Sequence, residues 1–457
     1  MASLRVFGVA ALLIAGQLPA GERLSMPPAV PGNDALFYRI QQLEAETRML
    51  RAELDQATAR QVPPAAAGGP RFAPVSSLAA EKTPEYVTRE EVKDLAWKKG
   101  DFKIVPYGIL WGTAAYETSR TYLGNYTLWA ISPEDEGEDA FHVGARSTRL
   151  GIDVSGPELP WFCGAKSGGK VELDFQGSFA VENKPTVMLR HGYWEVQNDD
   201  YRLLVGQTWD VISPLVPGTI MYSVYWCAGN IGYRRPQIRY ERYFDVSDAW
   251  QIQWQSSLNT DAASDLTTGV LADGDHAGWP IIEMRVGSIV GRTRPVSFGL
   301  SGHVGESIYD FPFADDAARP TWSLCADVKA PITERLGFQG EFFTGTNLKT
   351  FLGGINQGVD IGGTYEAIRS TGGWFEFWYD WTPRWHSHAG YSLDDPRDGD
   401  ILLPVGRTFN QVYWGNITCD VTKKFQLGFE VSQWKTRFVD RQAADATRFE
   451  FAGKYGF

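Results

Sequence analysis

The sequence predicts an all-β fold, a transmembrane antiparallel β-barrel of about sixteen strands that is preceded by a short α-helical coiled coil. Two observations support this prediction. From residue 101 to Phe457, apolar and polar residues alternate with a period of two, as in strands that face lipid on one side and water on the other. No stretch after the N-terminus approaches the ~20 consecutive apolar residues that a membrane helix needs. A chain with this pattern is expected to cross a membrane with strands.

Composition supports the same class and argues against another. Aromatic residues make up 13% of the 457 residues and glycine contributes 48, yet polar residues are mixed in throughout. This mixture is typical of a barrel with an apolar exterior, aromatic girdles and a wet interior. The formal net charge of -12 offers no support for a basic nucleic-acid-binding face, so no nucleic-acid partner is expected.

The N-terminal region contains two predicted segments. Residues 1–20 hold one basic residue, Arg5, followed by the short apolar run 6–16, which is typical of a secretory signal peptide. Residues 33–60 place apolar side chains at alternating spacings of four and three, which predicts a coiled coil, with a lone amphipathic helix as the alternative. The seam residues of this coiled coil are Leu36, Ile40, Leu43, Leu50 and Leu54.

Residues 61–100 are predicted to form a linker that ends in a short helix. The segment is rich in Pro, Ala and Gly and lacks apolar periodicity, which is typical of a linker. Thr88 and Glu91 match a capping box for one or two helical turns before Gly100. The barrel is expected to occupy residues 101–457.

Loop lengths separate a membrane barrel from a soluble β-sandwich, which would show similar alternation over shorter stretches. Strand candidates are centred near residues 108, 148, 174, 191, 204, 238, 254, 285, 300, 325, 339, 378, 388, 415, 430 and 452. Short turns fall at 245–248, 291–295, 330–334, 382–384 and 421–424, and long loops near 118–139, 260–279, 306–320, 345–373, 394–409 and 438–446. Short turns alternating with long loops are typical of an outer-membrane barrel.

With these features the chain resembles the trimeric sixteen-stranded porins, and specifically the DcaP-like branch that has an N-terminal coiled coil. The matching features are the heptad segment from Leu36 to Ala57, the barrel, and the last strand ending Lys454-Tyr455-Gly456-Phe457. The resemblance implies a homotrimer in outer-membrane lipid, inserted by the barrel-assembly machinery, with Tyr455 and Phe457 as the assembly signal. The coiled coil would lie in the periplasm, within reach of the cell wall.

The resemblance also implies that residues 206–235, which follow the fifth strand, fold inward and narrow the pore. A loop folded over the mouth, or packed against a neighbouring subunit, is the alternative. The residues expected to form the constriction and to set anion selectivity are Arg202, Trp209, Asp210, Tyr222, Tyr225, Arg234, Arg235, Arg239 and Glu241.

The expected function is passive, selective diffusion of small polar solutes, a form of ion transport that depends on lining charge and weak binding sites. Guanidinium groups match carboxylates and phosphates, so small anions are the expected solutes, and the resemblance implies dicarboxylates. The alternative is that arginines and carboxylates in the lumen merely neutralise each other. No cofactor and no metal site is expected, since Cys163, Cys227, Cys325 and Cys419 lack the paired spacing of a metal or redox motif.

Two other classes of function are weighed against a channel. A barrel hydrolase would need a histidine held beside a nucleophile or an acid. His303 near Ser301, and His386 and His388 near Asp380, offer such pairs, but pairs of this kind arise readily by chance, so no enzyme is expected. The third class is structural, with the coiled coil and linker anchoring the outer membrane to the cell envelope.

Overall fold

The computed structural model describes residues 96–177, 184–262, 275–311 and 314–457, which form a single antiparallel sheet. The predicted signal peptide, the coiled coil and residues 61–95 of the linker lie outside the described residues. The strands are β1 (Trp97–Lys99), β2 (Phe102–Glu117), β3 (Ala140–Gly144), β4 (Arg149–Leu159), β5 (Ala165–Asp174), β6 (Met188–Gln197), β7 (Tyr201–Trp209), β8 (Arg234–Ser247), β9 (Trp250–Asn259), β10 (Asp275–His276), β11 (Ile281–Val290), β12 (Val296–Phe311), β13 (Ala314–Pro331), β14 (Leu336–Thr346), β15 (Arg369–Asp380), β16 (Trp385–Pro396), β17 (Arg407–Thr422), β18 (Phe425–Phe438) and β19 (Ala444–Gly456). A single short α-helix, α1 (Pro133–Glu136), lies in the loop after β2 among these residues.

Sixteen of these strands form the wall of a closed barrel in the described part of the chain. Three strands are short additions: β1 forms a hairpin with β2, β3 continues the line of β4 beside β2, and β10 continues the line of β11 beside β12. Every other strand pairs with the next one along the chain, and β19 pairs with β2 to close the ring. The predicted sixteen-stranded antiparallel barrel is confirmed.

Three local predictions are wrong. Residues 306–320, expected to form a loop, belong largely to β12 and β13, because the hydrogen-bond ladder between these strands continues through them. The rings of Tyr309 and Phe311 point inward there and pack beside Val359. The connection expected at 438–446 shortens to residues 439–443. Trp97–Lys99 is a strand rather than the end of a helix, because Gly100, with φ at +60°, allows the tight turn that pairs β1 with β2.

The two faces of the strands divide as the alternation predicts. On β19, Phe449 and Phe451 are exposed on the outer face, whereas Arg448 and Glu450 are buried inside. Apolar side chains are exposed in this way on strands all around the ring. A closed ladder satisfies the backbone hydrogen bonds, so such an exterior is suited to lipid, and we treat the barrel as membrane-spanning. Among the described residues, no helix has the length and apolar character to cross a membrane.

Three loops from the same end of the barrel pack against each other. They are loop A (residues 118–139), loop B (residues 210–233) and loop C (residues 347–368). Their shared contact, here called the loop junction, consists of Leu128, Trp129, Trp226, Cys227 and Ile355, all buried. The four cysteines form no disulfide in the structure.

The seam between the first and last wall strands ends at Phe457. This residue exchanges backbone hydrogen bonds with Gly108, at 3.1 and 3.3 Å, and its ring occupies the space where a larger residue at Gly108 would place its side chain. We predict that Phe457→Ala lowers the yield of folded barrel severalfold, because the Phe457 ring packs over Gly108 where the first and last wall strands close the barrel. The heat-modifiable fraction in electrophoresis measures this yield. Phe451→Ala, which removes a ring in mid-strand, is the control, and equal losses in the two variants would contradict the prediction.

Candidate functional site

Loop B crosses the interior of the barrel. It leaves the wall after Trp209 and returns at Arg234, between the fifth and sixth wall strands, which is the connection that the sequence analysis singled out. Along its length, backbone N–H groups donate to glutamates on distant strands. The donor and acceptor pairs are Val211 with Glu283 (2.6 Å), Leu215 with Glu341 (2.7 Å), Gly218 with Glu376 (2.7 Å) and Ile220 with Glu430 (3.1 Å). Because these acceptors lie on β11, β14, β15 and β18, loop B is tied to the wall on the far side.

Glu430 is the most heavily used of these anchors. Besides the backbone of Ile220, it accepts hydrogen bonds from the Tyr225 hydroxyl at 2.6 Å and the Thr219 hydroxyl at 2.7 Å, and from the Asn416 amide at 2.9 Å. Charge-assisted hydrogen bonds of this kind are stronger than neutral ones. The tip of loop B is therefore fixed by one carboxylate on β18.

Beside loop B, four cations on the wall form a row that we call the basic track. Its members are Arg234 on β8, Arg190 on β6, Arg149 on β4 and Lys454 on β19. Neighbouring members share aromatic rings. Trp209 lies 4.7 Å from Arg234 and 5.9 Å from Arg190, measured from the guanidinium carbon to the ring centroid. Tyr222 of loop B lies 5.7 Å from Arg190 and 5.6 Å from Arg149, and Trp111 lies 5.3 Å from Arg149 and 4.0 Å from the Lys454 ammonium.

The members of the track differ in their charge partners. The charge of Arg190 is compensated by two carboxylates, since its guanidinium donates to Glu172 at 2.5 Å and to Asp174 at 2.9 Å. Tyr222 also donates to Asp174. Arg234 is buried, and its two terminal nitrogens have no hydrogen-bond partner in the described part of the chain. Besides Trp209, the rings of Tyr233 at 4.8 Å and Trp226 at 5.9 Å lie against the Arg234 guanidinium.

The arrangement at Arg234 has a direct chemical meaning. An unpaired buried donor is unfavourable by about 1–3 kcal/mol, and more for a charged group. A carboxylate or phosphate that approached the guanidinium edge would satisfy both nitrogens at once, because the planar fork matches two oxygens. The site is thus suited to a small oxyanion.

Arg202, Arg239 and Glu241 lie together but largely neutralise each other. Arg202 is 2.6 Å from Glu195 and 3.4 Å from Glu241, and Arg239 is 3.3 Å from Glu241. Arg239 also donates to the Trp209 carbonyl. For these residues, the interpretation that arginines and carboxylates only balance each other fits the contacts.

Asp210 and Arg235 anchor the two ends of loop B to each other. The Arg235 guanidinium lies 2.7 Å from Asp210 and 3.4 Å from Asp261, and it stacks 3.7 Å over the ring of Phe351 in loop C. Arg235 is fully buried and its charge is compensated by these carboxylates, so its contacts do not support the expectation that it sets anion selectivity. Tyr225 is also fully buried, and its ring packs 4.4 Å from Trp414 on the far wall.

We predict that Arg235→Gln destabilises the barrel more than any exchange of an exposed arginine. Removing one partner of a buried ion pair leaves the other charge uncompensated, with a typical loss of about 3–5 kcal/mol. The midpoint of urea unfolding in detergent measures this loss. Arg292→Gln is the control, because Arg292 and its partner Asp248 are both exposed, and equal midpoints for the two variants would refute the prediction.

Of the histidines considered for a hydrolase, His386 contacts the expected Asp380, whereas His303 and His388 have other partners. His303 is buried, with its ring nitrogens 2.7 Å from the Ser323 hydroxyl and 2.8 Å from the Thr321 hydroxyl. His386 lies 2.6 Å from Asp380, and its other ring nitrogen is 3.3 Å from Asp420. His388 lies 3.1 Å from Glu376, the anchor of Gly218. No cluster of potential metal ligands is found among the residues that the structure describes.

A closed sixteen-stranded barrel with an inward loop after the fifth strand has the fold of the outer-membrane porins. The outer membrane channel DcaP of Acinetobacter baumannii superposes with a TM-score of 0.64 at 20% identity, covering 79% of this chain and 99% of that chain. The anion-selective porin from Comamonas acidovorans gives 0.50 at 13% identity, covering 78% and 100%. OmpT of Vibrio cholerae, folded in vitro, gives 0.50 at 9% identity, covering 79% and 99%.

The resemblance to DcaP-like porins that the sequence indicated is confirmed at the level of the fold. No protein-family model and no curated protein sequence matches the chain.

Proposed function

We propose that this protein is an outer-membrane porin that allows selective passive diffusion of small anions, dicarboxylates among them. The observation that carries the proposal is Arg234, a buried guanidinium beside loop B whose two terminal nitrogens have no partner in the described residues. A permeating carboxylate would provide the missing acceptors. The aromatic rings around Arg234 hold the side chain in place without neutralising its charge.

The other members of the basic track extend the path. Lys454 makes no ion pair with the described residues, and its ammonium faces the ring of Trp111. Arg190 is compensated by Glu172 and Asp174, so Arg234 and Lys454 are the members of the track that would bind a passing anion, weakly enough for release, which conduction requires. The net charge of -12 does not oppose this movement, since exposed charges are screened beyond a Debye length of about 8 Å at physiological salt.

The similar structures agree with this class of function. One is named as an outer membrane channel and another as an anion-selective porin. By analogy, we propose a homotrimer in outer-membrane lipid, inserted by the barrel-assembly machinery, with the coiled coil of residues 33–60 in the periplasm, where the cell wall is within reach. Passage by diffusion involves no bond making or breaking, so no enzymatic role is proposed.

Solute uptake by proteoliposomes tests this proposal. Liposomes containing the purified full-length protein should swell faster in succinate than in an uncharged sugar of similar size or in a diamine. Stepwise conductance increases in a planar bilayer would establish the channel independently. Equal rates for succinate and the diamine would contradict anion selectivity, and swelling no faster than in protein-free liposomes would contradict a channel.

A further inference from the structure

A second arginine without a carboxylate partner lies where the loops meet. Arg407 is the first residue of β17, directly after the loop of residues 397–406. Its guanidinium carbon lies 4.2 Å from the ring centroid of Trp129, a member of the loop junction, and its Nε donates to the Ile355 carbonyl at 2.9 Å. The side chain thus spans from the wall to loops A and C.

Arg407 is held by contacts on several sides. Its backbone N–H donates to the Gln357 side chain, and that side chain donates back to the Arg407 carbonyl, both at 2.8 Å. Trp129 is itself fixed by Tyr122, whose ring stacks on it at 4.2 Å. The guanidinium therefore lies on the ring of Trp129, and its Nε is already bonded to the Ile355 carbonyl.

The charge of Arg407 is uncompensated, unlike that of nearby arginines. In the described part of the chain it makes no ion pair, and its hydrogen bonds go to a carbonyl and an amide side chain. Arg369, also at the loop-bearing end, is bound to Asp400 through two nitrogens at 2.6 and 2.7 Å. Hydrogen bonding from Arg369 holds the pKa of Asp400 below its ordinary value, so that pair stays neutral overall.

The loop junction lies between Arg407 and Arg234. Arg407 stacks on Trp129, and Arg234 lies 5.9 Å from the ring of Trp226, in the same apolar cluster. We infer that Arg407 on Trp129 forms a separate docking site for small carboxylate anions at the loop-bearing end of the channel. This inference rests on the proposed anion channel and adds a site to it.

The test measures how fast citrate enters from each side. Citrate is added to one side of a planar bilayer that holds a single oriented channel of the full-length protein, and brief current interruptions are counted. For Arg407→Gln, we expect the association rate from the loop-bearing side to fall about three- to tenfold, since a fixed charge at a channel mouth raises the local concentration of counter-ions. The association rate from the opposite side should not change.

Two further variants separate charge from structure. Arg407→Lys keeps the charge but loses the planar Nε donor to Ile355, so its loop-side rate should stay close to that of the wild type. The double variant Arg369→Gln/Asp400→Asn, which removes a neutral pair, should leave the rate unchanged. Equal losses in the Lys and Gln variants of Arg407, or no loss in either, would overturn the docking site while anion selectivity stands. A wild-type channel without anion preference would overturn the proposed function as well.

Discussion

In the Arg234→Gln variant, we expect the zero-current potential in a KCl gradient to move toward cation preference. Arg234 is the arginine beside loop B whose terminal nitrogens are unpaired in the described residues, so its charge acts on passing ions with little compensation. One unit charge at about 5 Å contributes about 0.8 kcal/mol even at the dielectric constant of water, and more where water is excluded. This energy corresponds to a change of roughly fourfold or more in anion occupancy.

A conservative variant and an arginine at the opposite end of the β7–β8 ladder serve as controls. Arg234→Lys keeps the charge among the same rings and should retain anion preference. Arg242→Gln removes an arginine that lies 3.7 Å from Asp200 near the turn between β6 and β7, and should leave the potential nearly unchanged. An Arg234→Gln channel with the zero-current potential of the wild type would show that Arg234 does not determine ion selectivity.

Single replacements are more informative here than a combined exchange of Arg202, Arg234, Arg235 and Arg239. Arg235 holds the ends of loop B through Asp210, so its loss would disturb the loop itself. Arg202 and Arg239 share Glu241, and their removal would leave that carboxylate uncompensated. A combined variant would therefore mix effects of charge with effects of structure.

The second large effect is expected from Glu430→Ala. This exchange removes the acceptor of hydrogen bonds from Thr219, Ile220, Tyr225 and Asn416. Each buried donor left unpaired is unfavourable by about 1–3 kcal/mol, so the tip of loop B should leave its position on the wall. We expect an altered mean single-channel conductance and a marked increase in open-channel noise.

A matched variant tests the specificity of that effect. Glu366→Ala removes a largely exposed glutamate of loop C that lies 3.6 Å from Arg319, and the channel should conduct as the wild type does. Conductance and noise in Glu430→Ala that matched those of the wild type would show that loop B does not govern the pore. That result would leave the barrel unaffected.

The barrel could be predicted from the sequence because each wall strand repeats the same physical requirement. One face must suit lipid and the other water, so alternation persists across strands such as β9 and β19 whatever their exact residues. Errors in the predicted strand ends arose because the alternation of faces does not mark where a strand stops. Residues 306–320 continue as strand beyond the expected end, since polar loop residues and polar strand-end residues have the same composition.

The site was predicted only in part. Trp209, Tyr222 and Arg234 lie beside the basic track, but Arg190 was missed because a register shift between β5 and β6 interrupts the alternation there, leaving both Arg190 and His191 buried. In the sequence, the alternation places Lys454 on the lumen side of the last strand. Its proximity to Trp111 arises only because the ring closes and brings β19 beside β2. The linear order of the chain contains no signal for that proximity.

The glutamate anchors of loop B escaped prediction for a different reason. Glu283, Glu341, Glu376 and Glu430 each accept from a backbone N–H, and a backbone donor has no signature in the sequence. Arg234 and Arg235 are adjacent, yet one faces aromatic rings and the other an acidic pocket. Which of two neighbouring arginines remains uncompensated depends on partners far along the chain.

The zero-current potential of the wild-type protein tests most directly whether this barrel conducts anions in preference to cations. The purified full-length chain is inserted into a planar bilayer that separates two KCl solutions of different concentration. We predict a potential of the sign produced when chloride crosses more readily than potassium. A potential of the opposite sign would contradict the claim, and so would a potential of zero.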